Sequence, residues 1–177
     1  SRALAIRLPE KKGPWIAYKT QFGQSNPTFI LSGKNEKIVL RKKPEGQLLK
    51  SAHMIEREFR VMSALDKTAV PVPSMHFLCE DPNEIGTPYF VMAYIEGQSF
   101  LDPRINEIGL AERKQVYEEN VKGLARLHMI NPKEVGLSDF GKSGNYFSRQ
   151  FSRWSRQYEA SQTEKIMPMD TLMDWLS

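Results

Sequence analysis

The sequence predicts an α+β fold: a five-stranded antiparallel sheet with one helix inserted, followed by helices. Three observations predict it. Aromatic and β-branched runs bounded by Gly, Asn and Pro fill residues 15–43 and return at 75–79 and 89–94. A single stretch near 52–67 switches to helical periodicity, and beyond Gly97 the apolar residues recur only at helical spacing.

In chain order, residues 1–14, with Pro9, Glu10, Lys11, Lys12 and Gly13-Pro14, read as a lead-in with little to bury. Trp15–Phe22 is aromatic and β-prone, Gly23–Pro27 interrupts it, and Thr28–Leu31 resumes it, which predicts two strands and a turn. A second turn, Gly33–Glu36, returns the chain into Lys37–Lys43 and completes an antiparallel meander ended by Pro44-Glu45-Gly46. From Ala52 to Lys67, Ile55, Phe59, Met62 and Leu65 form one apolar stripe at helical spacing. Val70-Pro71-Val72-Pro73 stops that helix, because each proline biases its predecessor toward extended geometry. Met75–Cys79 and Tyr89–Tyr94 are the fourth and fifth strands, with a polar loop containing Asp81-Pro82 and Gly86 between them. Leu110–Met129, carrying Tyr117, Val121, Leu124 and His128, is a helix, and Ser148–Ala160 and Met169–Leu176 are two more. The expected organisation is a lead-in at 1–14, a sheet lobe at 15–97 and the first helices of a second lobe at 98–177.

Composition narrows the function classes. A chain of 177 residues with 40% hydrophobic content can bury a real core. The net charge of +4 comes from interspersed Lys, Arg, Asp and Glu, which fits a solvated mixed surface and not a nucleic-acid tract. The one cysteine, Cys79, excludes an internal disulfide framework and any multi-cysteine zinc site, suits a reducing compartment, and reads as a buried packing residue. His53 and His76 lack a neighbouring ligand pair, so no metal site is expected around them. No apolar run approaches the roughly 18–20 residues of a membrane span. The chain opens at Ser1 and closes at Trp175-Leu176-Ser177 inside an apolar-periodic segment, so it is expected to be a piece of a longer protein.

The strongest chemical signal is Lys37–Lys43, where a β-branched strand ends in a cluster of cations. Alternation along a strand puts Val39 and Arg41 on one face and Ile38 and Leu40 on the other. On the helix, with Ile55 as reference and roughly 100° per residue, Phe59, Met62 and Leu65 lie within about 80°, and Glu58 falls inside the same arc. Glu56, Arg57 and Arg60 fall outside it, where a solvated face is expected. A carboxylate on the buried side of a helix is costly without a cation, and Arg41 is the natural partner; the plainer alternative is that Glu58 sits at the rim and reaches water. One strand upstream lies Phe22-Gly23-Gln24-Ser25-Asn26-Pro27-Thr28, whose backbone N–H groups and hydroxyls could cover phosphate oxygens, although with a single glycine the loop taken alone reads better as a plain β-turn.

These motifs in this order, with Arg57-Glu58-Phe59-Arg60-Val61-Met62, Val70–Pro73, Tyr89–Gly97 and Trp154–Tyr158, resemble the aminoglycoside phosphotransferase family, whose fold is protein-kinase-like. Within that family the chain resembles the kinase-like domain that precedes an acyl-CoA dehydrogenase in fused proteins. The resemblance implies a five-stranded N-lobe followed by an incomplete helical C-lobe. It implies that Gly23, Gln24, Ser25, Asn26 and Thr28 cover the phosphates of ATP and that Arg41 takes the place of the usual strand lysine. Arginine suits the place because its planar, permanently charged fork binds phosphate and carboxylate together. Glu58 would steady that cation, Val39 would roof the adenine pocket, Met92 would stand at the gatekeeper position, and the Ala93 carbonyl and Ile95 N–H would read the adenine edge. Gly97 would let the chain turn into the second lobe.

The resemblance also implies what is missing. The family's His-Gly-Asp catalytic loop and its later Asp-Trp-Glu-like metal segment do not occur in this sequence. Asp139-Phe140-Gly141 has no catalytic loop before it and reads as a connection, and Asp174-Trp175 reads as part of the last helix. No catalytic or metal-binding role is therefore assigned within the chain, and the Mg2+ ligands are expected beyond Ser177. The implied reaction is transfer of the ATP γ-phosphate to a small-molecule hydroxyl, which the fused dehydrogenase suggests belongs to an acyl-CoA; the alternative is a non-catalytic nucleotide-binding or interaction scaffold. The same company implies an intracellular setting, mitochondrial or peroxisomal, or else cytoplasmic. His128 reads as a core histidine and Trp154 as a packing residue, and Met54, Met62 and Met92 sit at core-like positions. Arg149, Arg153 and Arg156 share one helical face, as a solvated surface or as a groove for an anionic substrate.

Overall fold

The computed structural model describes residues 2–11, 13–20, 26–46, 54–141 and 144–177. Its sheet is built from β1 (Ile16–Lys19), β2 (Thr28–Ser32), β3 (Lys37–Lys42), β4 (Met75–Cys79) and β5 (Tyr89–Ala93). All neighbours run antiparallel in the order β1-β2-β3-β5-β4, so the meander read from the sequence is present and β5 inserts between β3 and β4.

Alternation decides the two faces of this sheet. On one, Leu31, Ile38, Tyr89, Val91 and Cys79 form the buried cluster, with Phe29, Leu40 and Phe77 packed against it. That face is closed by the first helix, α1 (Arg2–Arg7), whose Leu4 and the following Leu8 belong to the same cluster. The N-terminal stretch is therefore not the lead-in with little to bury that its prolines and charges suggest. Its two leucines, four residues apart, fall on one helical face. Arg7 adds a polar tie by pairing with Glu84 in the β4–β5 loop at 2.6 Å and lying over the Phe77 ring at 5.2 Å.

The opposite face carries α2 (Ile55–Leu65). Ile55 is fully buried, Leu65 nearly so, and Phe59 meets Phe90 of β5 with ring centroids 5.9 Å apart. Burying an Ile side chain of this size contributes about 1.5–3 kcal/mol, so the stripe anchors the helix. No side chain caps its start; instead Glu56 and Glu58 occupy the first turn, where carboxylates complement the helix dipole. Met54, expected in the core, stands before the helix and is exposed. The helix stops at Leu65, ahead of the prolines, because the Thr68 hydroxyl and N–H both donate to the Leu65 carbonyl.

The chain divides into two compact units, Ser1–Gly136 and Leu137–Ser177. The first also contains α3 (Leu110–His128), which begins with Glu112 accepting from the Gly109 N–H at 3.1 Å and has no buried residue. His128, expected as a core histidine, is exposed, and so are Tyr117, Val121 and Leu124: nothing among the described residues covers their stripe. The second unit holds α4 (Tyr146–Ser161) and α5 (Met167–Leu176), again without buried residues. Trp154, expected to pack, is exposed, and Arg153 lies against its ring. Asp139-Phe140-Gly141 forms a turn in which the Phe140 N–H donates to the Leu137 carbonyl, and Asp174-Trp175 lies in α5.

Candidate nucleotide site

Register brings the site together. In the β2–β3 ladder Thr28 stands opposite Arg41 and Ile30 opposite Val39; in the β3–β5 ladder Arg41 stands opposite Phe90 and Val39 opposite Met92. Two rows therefore cross the sheet on the face that carries α2. Ile30, Val39 and Met92 make an apolar strip, and one step along, Thr28 and Arg41 make a polar one.

Arg41 and Glu58 meet as the helix periodicity implies. Arg41 Nε donates to Glu58 Oε2 at 2.7 Å and Nη2 donates to Oε1 at 3.2 Å, a forked contact that fixes both the guanidinium and the carboxylate. Register supplies a third bond, from Arg41 Nη1 to Thr28 Oγ1 at 2.9 Å. The pair is partly solvated, with 24% of the Arg41 and 37% of the Glu58 side chain exposed, so a ligand can approach it. A guanidinium has five N–H groups. Three are used, and one on each terminal nitrogen remains without a partner among the described residues. A lysine ammonium could not hold both oxygens of Glu58 and the threonine hydroxyl in this planar arrangement.

Glu58 takes a further bond that neither strand alternation nor helical phase foretells, from Asn26 Nδ2 at 3.1 Å. The family resemblance implies Asn26 only as part of a phosphate-covering loop, yet it is 2% exposed and turned into the protein. The signal that could have found it is Pro27, which separates Asn26 from the β2 ladder. A second ion pair, Lys43 to Glu56 at 2.7 Å, fastens the basic end of β3 to α2, although helical phase assigns Glu56 to the solvated face. Both surprises are side-chain contacts from outside the strands to the first turn of α2, which helical periodicity does not encode.

Next to this cluster lies a cleft of ≈ 240 Å³ lined by Val39, Met92, Ala93 and Ile95, and also by Thr20, Thr28, Ile30, Pro73 and Tyr94. It is below the roughly 300–1,000 Å³ of a drug-sized pocket. In the sequence Pro73 reads only as a helix stop. Thr28 lines the cleft and bonds Arg41, so the apolar cleft and the cationic fork adjoin. Gly23, Gln24 and Ser25 lie outside the described residues. Gly97 adopts no left-handed φ and has open space around it, so its backbone freedom is not required where the chain leaves β5. No three His, Cys, Asp or Glu side chains cluster as metal ligands, and no helix is long and apolar enough to cross a membrane, among the described residues.

An antiparallel sheet with a helix on the face of a strand arginine, its carboxylate partner on that helix and an apolar cleft alongside make up the sheet lobe of a kinase-like fold. The chain belongs to the phosphotransferase enzyme family, whose model matches residues 21–177. Its similarity to a solved aminoglycoside phosphotransferase structure from Ralstonia eutropha is 40% identity with a TM-score of 0.80, covering 98% of this chain and 50% of that one. It is 42% identical to acyl-CoA dehydrogenase family member 10 of Mus musculus over 93% of this chain and 15% of that protein. It is likewise 42% identical to acyl-CoA dehydrogenase family member 11 of Homo sapiens over 87% of this chain and 20% of that protein. The chain thus spans about a fifth or less of these curated relatives and half of the solved structure.

Proposed function

We propose that this chain binds ATP as the nucleotide lobe of a domain that transfers the γ-phosphate to a small-molecule hydroxyl. One observation carries the reading: Arg41 is held by Glu58 and Thr28 at the edge of an apolar cleft, with two N–H groups to spare. The cleft suits a flat, apolar-faced ring such as adenine, between Val39 and Met92 and close to the backbone of Ala93 and Ile95. The spare N–H groups suit phosphate oxygens. Mg2+ bound with the nucleotide would supply neutralisation of the phosphate charge, and among the described residues no cluster of His, Cys, Asp or Glu is assigned to hold it. This sequence contains no His-Gly-Asp loop, so the chain alone is proposed to bind nucleotide without turning it over.

Titration with a non-hydrolysable ATP analogue tests the reading. Arg41→Ala, Arg41→Lys and Glu58→Ala should each weaken binding about tenfold or more, as expected for losing a charge-assisted hydrogen bond worth about 1.5–3 kcal/mol. Unchanged affinity in Arg41→Ala would overturn it. Metal-dependent phosphotransfer by this chain alone would overturn the proposed division between binding and chemistry. The names of the relatives point to an acyl-CoA as the hydroxyl carrier, and hence to a mitochondrial or peroxisomal setting. Phosphorylation of hydroxyacyl-CoA, but not of an aminoglycoside, by a relative-length protein containing this chain supports that finer reading.

A further inference from the structure

We propose that Asn26 is a positioning residue: it locks the Arg41–Glu58 pair in the geometry that receives phosphate, without touching phosphate through its side chain. The proposal rests on the nucleotide reading above. It begins from burial, since Asn26 is 2% exposed and an amide withdrawn from water must find hydrogen-bond partners inside the protein. Its Nδ2 donates to Glu58 Oε1, the same oxygen that accepts from Arg41 Nη2. Because a carboxylate only accepts, the amide nitrogen must be the group that faces it.

The backbone of Asn26 closes the circuit. Thr28 Oγ1 has a single proton, which it donates to the Asn26 carbonyl at 3.2 Å; the same oxygen accepts from Arg41 Nη1 at 2.9 Å. Arg41, Thr28, Asn26 and Glu58 therefore form a closed ring of hydrogen bonds that joins the segment before β2, β2 itself, β3 and α2. Every member is oriented by two others, so the guanidinium has one rotational state and its spare N–H groups have one direction. Without the Asn26 amide, Glu58 Oε1 retains only the longer of the two Arg41–Glu58 contacts, and the carboxylate can turn about its last bond. The predicted loss is of orientation, transmitted to Arg41 through Glu58. Aspartate cannot substitute, since it would set a second carboxylate against the first.

The test uses this chain with Asn26→Ala and Asn26→Asp, each alone, and Asn26→Ala in a Glu58→Ala background. Two quantities are read: solvent exchange of the Arg41 Nε–H by NMR without nucleotide, and affinity for a non-hydrolysable ATP analogue. Asn26→Ala should speed the exchange about tenfold and weaken the analogue about tenfold, the scale of one hydrogen bond to a charged group. Acting through Glu58, it should add nothing further in the Glu58→Ala background. Exchange unchanged from wild type, or affinity losses that multiply in the double variant, would overturn the proposal, the second because it would mean direct ligand contact. Should Asn26→Ala not fold, the isosteric Asn26→Asp carries the test. Its Arg41 exchange should exceed wild type at neutral pH and return toward wild type at acid pH, where the introduced carboxyl, once protonated, can donate; tracking wild type at every pH overturns the idea. If wild type binds no analogue, the nucleotide reading fails, while the exchange data still decide the role of Asn26.

Discussion

Glu84 illustrates how one residue can report on the fold. Hydrogen bonds from Arg7 and from the Tyr89 hydroxyl, each at 2.6 Å, hold its carboxyl down at about 2, against an ordinary value of 4.5. Burial, with the Glu84 carboxylate beside it, pushes the Tyr89 hydroxyl up. Because the folded carboxyl is the stronger acid, its stabilisation is complete above about pH 4.5 and is lost as pH falls through about 2. Solvent access limits the effect to about 1 kcal/mol. Urea midpoints should therefore fall between pH 5 and pH 2.5, and fall less in Arg7→Met, which removes the main partner. Identical slopes in the two proteins would show that the Arg7 contact contributes nothing. Cys79, 2% exposed and with its thiol pushed up by burial, is the inert packing residue that its sequence context suggests.

At the scale of elements, the strands and helices were legible because their periodicities are local. The run Lys37–Lys42 and the stripe from Ile55 to Leu65 needed no tertiary information to be read as strand and helix. α1 was hidden because six helical residues give too short a window, and its flanking prolines and charges read as loop. Its role is in packing, so Leu8→Ala should cost about 2–3 kcal/mol, toward the low end of buried leucine truncations because Leu8 follows a short helix whose neighbouring residues Ala5 and Ile6 are exposed. Ile55→Ala, fully buried at the start of α2, should cost about 3–4 kcal/mol, while Ile55→Val should cost about 1 kcal/mol. Denaturant unfolding checks all three. A Leu8→Ala protein as stable as wild type would return 1–14 to the status of a lead-in.

For the whole molecule, the contrast is between a sheet whose β3 and β5 are packed and later helices, α3 to α5, that are open. On α3, Tyr117, Val121 and Leu124 form the apolar stripe that the sequence announces, yet they are 46%, 66% and 53% exposed. Trp175 and Leu176 of α5 are also exposed. Exposed apolar surface of this kind on either unit drives association. Sedimentation of the chain should show concentration-dependent self-association that Val121→Glu with Leu124→Glu relieves. A monomer at all concentrations in wild type would sink this expectation.

The sequence by itself determined the family, the order of the elements from β1 onward and the pairing of Arg41 with Glu58, because each is written in local alternation, helical phase or a contiguous motif. Tertiary structure alone decided that Thr28 faces Arg41, that Lys43 ties down Glu56, that Pro73 closes one side of the cleft, and that Asn26 turns inward to Glu58. Those contacts depend on strand register and on which segments the first turn of α2 meets. Both are settled by packing across the sheet, between residues whose separation along the chain carries no pattern.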